Sequence, residues 1–404
     1  MSTVEIRPSR AFGDIAAPPS KSISHRALIC AALSKGVSRV FPTELSEDVM
    51  ATLSCVRGLG CSYERKDTCI IVKGSDSVFN IADDSIFDCG ESGSTLRFFL
   101  LLAMISGRRV RFTGSEVLLG RPLSVYEEIF RSRGIRLERR GNFIEAEGCL
   151  HSGAFTVPAN VSSQFVSGLL FALPLLNGNS SIFLTKTIES GPYIDMTLQV
   201  QRAFGINIKR PDERTFLIPG SQAYACKNYA VEGDYSNAAF FAALNCLGGN
   251  VKIGGLDENS LQGDRVYQKH FKALEKGFAE IDISDCPDLG PVLFVLAAAK
   301  NGGEFTGTRR LRIKESDRGM AMCSELSKFG TETFQEENRI VIRKGKLVKP
   351  SVPLSGHNDH RIVMALSVLM TLTGGIIEGA DAVNKSFPGF FSKLGSLGID
   401  FNET

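Results

Sequence analysis

Apolar residues gather along this chain into two alternating series of segments, and every segment stops at a glycine. In the first series almost every position is apolar: Ala27 to Gly36, Thr95 to Gly107, Phe165 to Gly178, Ala238 to Gly248, Val292 to Gly302 and Ile362 to Gly374. Helices that are apolar all round belong inside a protein. In the second series, Asp48 to Gly60, Ser124 to Gly134, Asp195 to Gly205, Asp264 to Gly277, Asp317 to Gly330 and Pro388 to Gly398, the apolar residues keep to one face. That is the pattern of a helix lying on a core. The closing glycines of the first series are 71, 71, 70, 54 and 72 residues apart, and those of the second 74, 71, 72, 53 and 68. Both series shorten at the same place, so the chain repeats with a period of about 70 residues and one curtailed unit.

After the second-series glycine, short alternating segments pair around a polar turn. Cys61 to Glu64 returns as Cys69 to Val72, Ile135 to Leu137 as Phe143 to Ala146, Ile206 to Ile208 as Thr215 to Ile218, and Thr331 to Phe334 as Ile340 to Ile342. Each unit therefore reads strand, buried helix, strand, amphipathic helix, hairpin. The class is α/β, and six units make two similar lobes of three. Val4 to Arg7 is a strand with no hairpin of its own and is placed with the C-terminal half. The expected lobes are residues 1–18 plus 230–404, and 19–229, with the chain crossing twice at a hinge and ligand held between the lobes.

The amino ends of the buried helices carry the candidate chemistry. They read Lys21-Ser22 through Arg26, Gly90-Glu91-Ser92-Gly93-Ser94-Thr95 with Arg97, Ser162-Ser163-Gln164, Glu232 through Asn237, Asp285-Cys286-Pro287-Asp288 and His357-Asn358-Asp359-His360-Arg361. The amphipathic series adds Arg121-Pro122, Lys314-Glu315-Ser316-Asp317-Arg318 and Lys385-Ser386-Phe387-Pro388. Unpaired N–H groups and a positive dipole end suit an anion. One such end contributes only about 0.3–1 kcal/mol, so a useful site needs several together with desolvated cations.

Composition narrows the partners. Lys and Arg number 46 against 44 Asp and Glu in 404 residues, a net +2, which argues against the footprint of a nucleic-acid or membrane-surface binder. The first residues have no apolar signal region, and runs such as Phe98 to Ile105 fall far short of the roughly 18 residues of a membrane span. A cytoplasmic protein is expected. The ten cysteines include no C-x-x-C pair and are expected as free buried thiols in a reducing compartment. Gly90 to Thr95 lacks the lysine of a P-loop, His357 and His360 lack further metal ligands, and no Gly-x-Ser-x-Gly elbow occurs.

Taken in order, Pro19 to Arg26, Ser92 to Arg97, Arg121-Pro122, Ser162-Ser163-Gln164, Tyr193 to Thr197, Pro287-Asp288, Lys314 to Arg318 and Asn358 to Arg361 resemble the motifs of the 5-enolpyruvylshikimate-3-phosphate synthase family of enolpyruvyl transferases. The resemblance runs over nearly the whole chain. It implies an inside-out α/β barrel in each of two lobes joined by a double crossover. It also implies transfer of the enolpyruvyl group of phosphoenolpyruvate to the 5-hydroxyl of shikimate 3-phosphate, with phosphate released, on the shikimate pathway to chorismate and aromatic amino acids. By the same resemblance Ser22, Arg26, Ser162, Ser163, Gln164 and Lys314 hold shikimate 3-phosphate, with Ser190 and Tyr193 beside it. Gly93, Arg121, Arg318, Arg361 and Lys385 hold phosphoenolpyruvate, Lys21 and Gln164 touch both ligands, and Arg97 lies nearby. No cofactor or metal is implied, and a monomer is expected.

The two substrates bring roughly −5 to −6 in charge. Eight cations, Lys21, Arg26, Arg97, Arg121, Lys314, Arg318, Arg361 and Lys385, facing Asp288 and Glu315 leave +6 to meet it. Asp288 is expected to take the proton of the 5-hydroxyl, and Glu315 or Lys21 to protonate the methylene carbon. The sister enzyme that transfers enolpyruvate to UDP-N-acetylglucosamine uses a cysteine just before its Arg-Pro pair, and Ser115 to Gly120 has none. Against the family pattern, Glu91 replaces asparagine, Arg310 replaces asparagine, Gly191 replaces a basic residue and Gly319 an apolar one.

Overall fold

The computed structural model describes residues 2–42, 44–74 and 81–403. Thirteen helices follow one another: α1 (Lys21–Leu33), α2 (Glu47–Gly58), α3 (Gly93–Ala103), α4 (Glu116–Gly120), α5 (Ser124–Ser132), α6 (Ser163–Ala172), α7 (Gly191–Ala203), α8 (Tyr235–Cys246), α9 (Tyr267–Lys276), α10 (Gly290–Ala299), α11 (Arg318–Ser327), α12 (His360–Thr373) and α13 (Phe390–Ser396) among the described residues. The buried series is α1, α3, α6, α8, α10 and α12. Every closing glycine of both series except Gly277 takes a positive φ, from 68° at Gly134 to 125° at Gly36. Only a residue without a Cβ ends a helix this way at little cost, and so the period is written in glycine.

α1 begins at Lys21, six residues before the apolar run expected from Ala27. Ser20 is extended (φ −61°, ψ 114°), and its carbonyl accepts from the Ser24 N–H at 2.8 Å. The first two turns are polar in sequence yet helical in fact, because lysine and arginine favour helix and hydrophobic periodicity cannot register them.

The chain divides into two compact units. One runs from Pro19 to Val231, and the other joins the residues up to Pro18 with those from Glu232 onward. Within the first, Ser85–Asp88 runs parallel to Val110–Thr113, which pairs antiparallel with Phe143–Glu147, itself in a hairpin with Arg136–Arg140. The same order holds for Asn228–Ala230, Gly36–Phe41, Ile70–Gly74 and Ser62–Arg65. In the third sheet, Ala154–Pro158, Ser180–Thr185 and Thr215–Ile218, the expected strand at Ile206 to Ile208 shrinks to a bridge between Lys209 and Leu217. The Gln222 side chain takes its place: Oε1 accepts from Asn207 N at 2.7 Å and Nε2 donates to Asn207 O at 3.0 Å. These polar groups are satisfied without a ladder.

The other unit repeats the scheme in Ala279–Asp282, Gly303–Thr306, Arg339–Ile342 and Thr333–Gln335. Its next sheet is completed by the start of the chain, with Thr3–Ile6 antiparallel to both Gly375–Glu378 and Phe401–Glu403. The curtailed repeat leaves only Asn250–Gly254 parallel to Phe12–Ala16. α8, α10 and α12 contact one another in this core, and α3 packs on α6 in the first. No helix among the described residues is long and apolar enough to cross a membrane. The cysteines are all free, but Cys226 is exposed, and Cys69, Cys149, Cys246 and Cys323 are only half-buried.

Candidate active site

In the Pro19 to Val231 unit the helix starts deliver five groups of side chains. Lys21, the first residue of α1, donates from Nζ to Asp48 Oδ2 at 2.7 Å in the first turn of α2. Arg26 is buried and spends all three guanidinium nitrogens inside the unit, on Thr197 Oγ1 (2.8 Å), Ser22 O (2.6 Å) and Tyr193 O (3.0 Å). It thus clamps α1 to the start of α7. Burial brings its pKa down to about 10, so it remains charged. Ser190 enters α7 in a left-handed conformation (φ 57°) and is 1% exposed.

Gly93 opens α3 beneath two guanidinium groups. A Cβ on it would lie 2.7 Å from Arg121 Nη1 and 3.1 Å from Arg97 Nη1. Arg97 donates to Gln164 Oε1 and stacks on Phe165, while Gln164 Nε2 donates to Ser94 Oγ at 2.8 Å. Ser162 caps α6, accepting from Gln164 N at 3.3 Å, and Ser163 follows it, 4% exposed. Arg121 is held through its backbone: its N–H donates to Leu118 O, and its carbonyl accepts from Arg139 Nη2 at 2.8 Å. Its Nε is buried without a partner among the described residues.

Hydroxyls link these helix starts. His25 Nδ1 meets Thr52 Oγ1 at 2.6 Å, Thr52 meets Thr95 Oγ1 at 2.7 Å, and Thr95 donates to Ser92 Oγ at 2.7 Å. Burial, reinforced by Lys21 and Arg26, pushes the His25 imidazole well below its ordinary range, so it is neutral in this chain.

In the second unit one arginine gathers three acids. Arg318, at the first position of α11, donates from Nε to Asp359 Oδ2 (2.8 Å), from Nη1 to Asp288 Oδ1 (2.7 Å) and from Nη2 to Glu315 Oε2 (2.7 Å). Lys314 Nζ reaches the same Asp288 oxygen at 3.0 Å, and Arg361 Nη2 lies 3.8 Å from the other. Burial alone would raise the Asp288 carboxyl, but Lys314, Arg318 and Arg361 outweigh it and hold it well below the usual carboxylate range. Burial lowers the Lys314 ammonium, against the pull of Asp288. Asp359 caps α12, accepting from Arg361 N at 3.0 Å. Arg361 Nη1 donates to Asn237 Oδ1 at 3.2 Å, and Lys385 Nζ to Asn358 O at 2.6 Å.

Two acids alter the charge count made from the sequence. Asp48 joins Lys21, Arg26, Arg97 and Arg121, so four cations less one acid leave +3 in the first unit. In the second, Lys314, Arg318, Arg361 and Lys385 face Asp288, Glu315 and Asp359, and four less three leave +1. Spacing along the chain cannot show which carboxylates fold onto which cations. It also could not single out Asp264, which is 2% exposed with Oδ2 on the Ser236 hydroxyl and Oδ1 unpartnered among the described residues. Burial, and then Asp288, push its carboxyl up to about 7.

A family model described as EPSP synthase (3-phosphoshikimate 1-carboxyvinyltransferase) matches residues 7–394. The chain belongs to the EPSP synthase family. It is 39% identical over 424 aligned positions to the 3-phosphoshikimate 1-carboxyvinyltransferase of Clostridium kluyveri, covering 100% of this chain and 99% of the relative. It is 40% identical over 420 positions to that of Clostridium perfringens, covering 98% and 99%. Among solved structures, EPSP synthase from Acinetobacter baumannii superposes with a TM-score of 0.79 at 23% identity, covering 100% of both chains, a likeness of fold. The two-lobe inside-out α/β architecture of the EPSP synthase family is therefore the fold of this chain.

Two of its departures from the EPSP synthase pattern have physical readings. A Cβ on Gly319 would come within 2.9 Å of Gln335 Nε2 and 3.0 Å of Ile340 Cδ1, so the missing side chain makes room for a neighbouring strand. Arg310 is buried near enough to Lys314 to help lower its ammonium. Glu91 lines a cavity of about 610 Å³ together with Glu47, Asp88, Ser115 and Asn142. Nothing in the structure explains Gly191.

Proposed function

We propose that this chain transfers the enolpyruvyl group of phosphoenolpyruvate to the 5-hydroxyl of shikimate 3-phosphate and releases phosphate, acting as a cytoplasmic monomer on the route to chorismate. The observation that carries the reading is Asp288, a carboxylate held ionised by Lys314 and Arg318 at 3.0 and 2.7 Å. Two polyanions need cations, and their reaction needs a base among those cations. The chain's membership in the EPSP synthase family and the names of its relatives support the same chemistry.

In this reading Ser22, Arg26, Ser162, Ser163, Gln164 and Lys314 hold shikimate 3-phosphate beside Ser190 and Tyr193. Gly93, Arg121, Arg318, Arg361 and Lys385 receive phosphoenolpyruvate, with Lys21 and Gln164 touching both ligands and Arg97 near them. Asp288 is ionised but, ringed by cations, a weak base. Anionic ligands that draw on Lys314 and Arg361 remove part of that stabilisation and raise its proton affinity when it is needed.

Asp288 then takes the 5-hydroxyl proton as the oxygen attacks the carbon bearing the phosphate, and the methylene carbon gains a proton to become a methyl. Lys21 donates to Asp48, whereas Glu315 accepts from Arg318, so of the two candidates Lys21 has the proton to give. The tetrahedral adduct returns a methyl proton to Lys21 as its carbon–oxygen bond to phosphate breaks, which restores the double bond, and the departing phosphate takes the proton held by Asp288. Arginines on the phosphate stabilise the departing charge. Incubating the protein with both substrates and following phosphate release tests the assignment. Phosphate must appear only when both are present, and its absence from that mixture would sink the reading.

A further inference from the structure

One buried acid has no part in that chemistry. Glu325 on α11 is 1% exposed, and its carboxylate meets three donors: Lys328 Nζ at 2.8 Å, the Ser355 N–H at 3.0 Å and His357 Nε2 at 2.9 Å. Burial alone would raise it, but these contacts, first that of His357, hold it below the usual carboxyl range. A desolvated carboxylate persists only where its donors repay the desolvation. Here two of the three donors, Ser355 and His357, come from a segment that needs restraint.

His357 and Asn358 are consecutive residues with φ of 49° and 51°. Side chains seldom adopt this left-handed region, and two in a row hold it only when their surroundings insist. Glu325 grips the turn from one side. The Gly356 N–H donates to Glu378 O at 2.8 Å, and Lys385 Nζ to Asn358 O at 2.6 Å. The next residue is Asp359, which caps α12 and takes the fork of Arg318. α11 carries both grips. Arg318 and Glu325 stand seven residues apart, two helical turns, and so share a face.

We propose that Glu325, acting through His357, is the positioning residue for the phosphoenolpyruvate-binding cations of this chain. By bracing the left-handed turn it fixes Asp359, and with it the directions of Arg318, Arg361 and Lys385. This rests on the function and roles proposed above and adds a residue remote from the ligands.

Steady-state phosphate release by wild type, Glu325→Ala, Glu325→Gln and His357→Asn, with each substrate varied in turn, tests it. Glu325→Ala should raise the KM for phosphoenolpyruvate about tenfold, equivalent to about 1.4 kcal/mol, and leave that for shikimate 3-phosphate within about twofold. Glu325→Gln keeps one acceptor oxygen and should fall between. His357→Asn tolerates the left-handed backbone but cannot reach Glu325, and should reproduce the alanine pattern. If Glu325→Ala fails to fold, His357→Asn decides, since that side chain is 31% exposed. Folded variants with both constants unmoved, or with both rising together, would overturn the proposal while wild-type turnover left the function standing. A wild type that releases no phosphate would overturn both.

Discussion

Arg318 and Asp359 hold each other at two points, Nε to Oδ2 at 2.8 Å and Nη2 to Oδ1 at 3.2 Å, with side chains 2% and 0% exposed. The guanidinium is planar and matches a carboxylate edge to edge, which an ammonium cannot do. Arg318→Lys therefore strands part of the charge on Asp359, Asp288 and Glu315. Leaving a buried charge unmatched costs about 3–5 kcal/mol. The variant should melt several degrees below wild type and lose most of its turnover. An unchanged melting curve would show that the fork is dispensable.

Asp288→Asn keeps the shape of the side chain and removes the base. Turnover should fall by about 10²–10⁴, while calorimetry still records binding of shikimate 3-phosphate. The cations keep Asp288 ionised well below the usual carboxylate range, so its protonation cannot produce a loss of kcat/KM above about pH 5. An acid limb there that vanished in the variant would contradict the assignment.

Gly93→Ala places a methyl group 2.7 Å from Arg121 Nη1 and 3.1 Å from Arg97 Nη1. Both guanidinium groups must move, and neither offers backbone to push against. The expected outcome is a KM for phosphoenolpyruvate raised about tenfold, with that for shikimate 3-phosphate little changed. Equal constants for wild type and variant would separate Gly93 from that ligand.

Asp264 sets a pH dependence of stability. Facing Ser236, Arg361, Asp288 and Asp234, it has a folded pKa raised to about 7, against about 3.9 unfolded. Between those values the folded chain carries a proton that the unfolded chain has lost, so stability falls as pH rises from about 4 to about 7 and then levels. Asp264→Asn removes this slope. The melting temperature of the variant relative to wild type should be higher at pH 8 than at pH 5, by an amount equivalent to at most about 3 kcal/mol. A difference independent of pH would place the Asp264 pKa near the ordinary carboxyl value.

Much of the architecture is legible in the chain because its punctuation is steric. Gly60, Gly134 and Gly205 directly follow the C-caps of their helices with positive φ, and their spacing is the fold's period. Lys21, Arg97 and Arg361 were legible as helix-start residues for a similar reason, since a polar group there interrupts an otherwise apolar run. Their partners were not. Asp48 and Asp359 neutralise cations from segments 27 and 41 residues away, and such contacts leave no periodic trace. Nor does spacing show that Arg26, one turn into α1, also reaches Thr197 and Tyr193 of α7. The strand expected at Ile206 to Ile208 failed for a local reason, the competition of a single glutamine side chain for its backbone.

Thr3–Ile6 lies between Gly375–Glu378 and Phe401–Glu403. On the ribosome this segment emerges roughly 370 residues or more ahead of both its neighbours, so at about 5–20 residues per second it waits tens of seconds for them. The stretch from Pro19 to Val231 is complete well before that. One half of the molecule can therefore mature while the other still trails an unpaired edge, and the nascent chain is most exposed to misassociation in that interval.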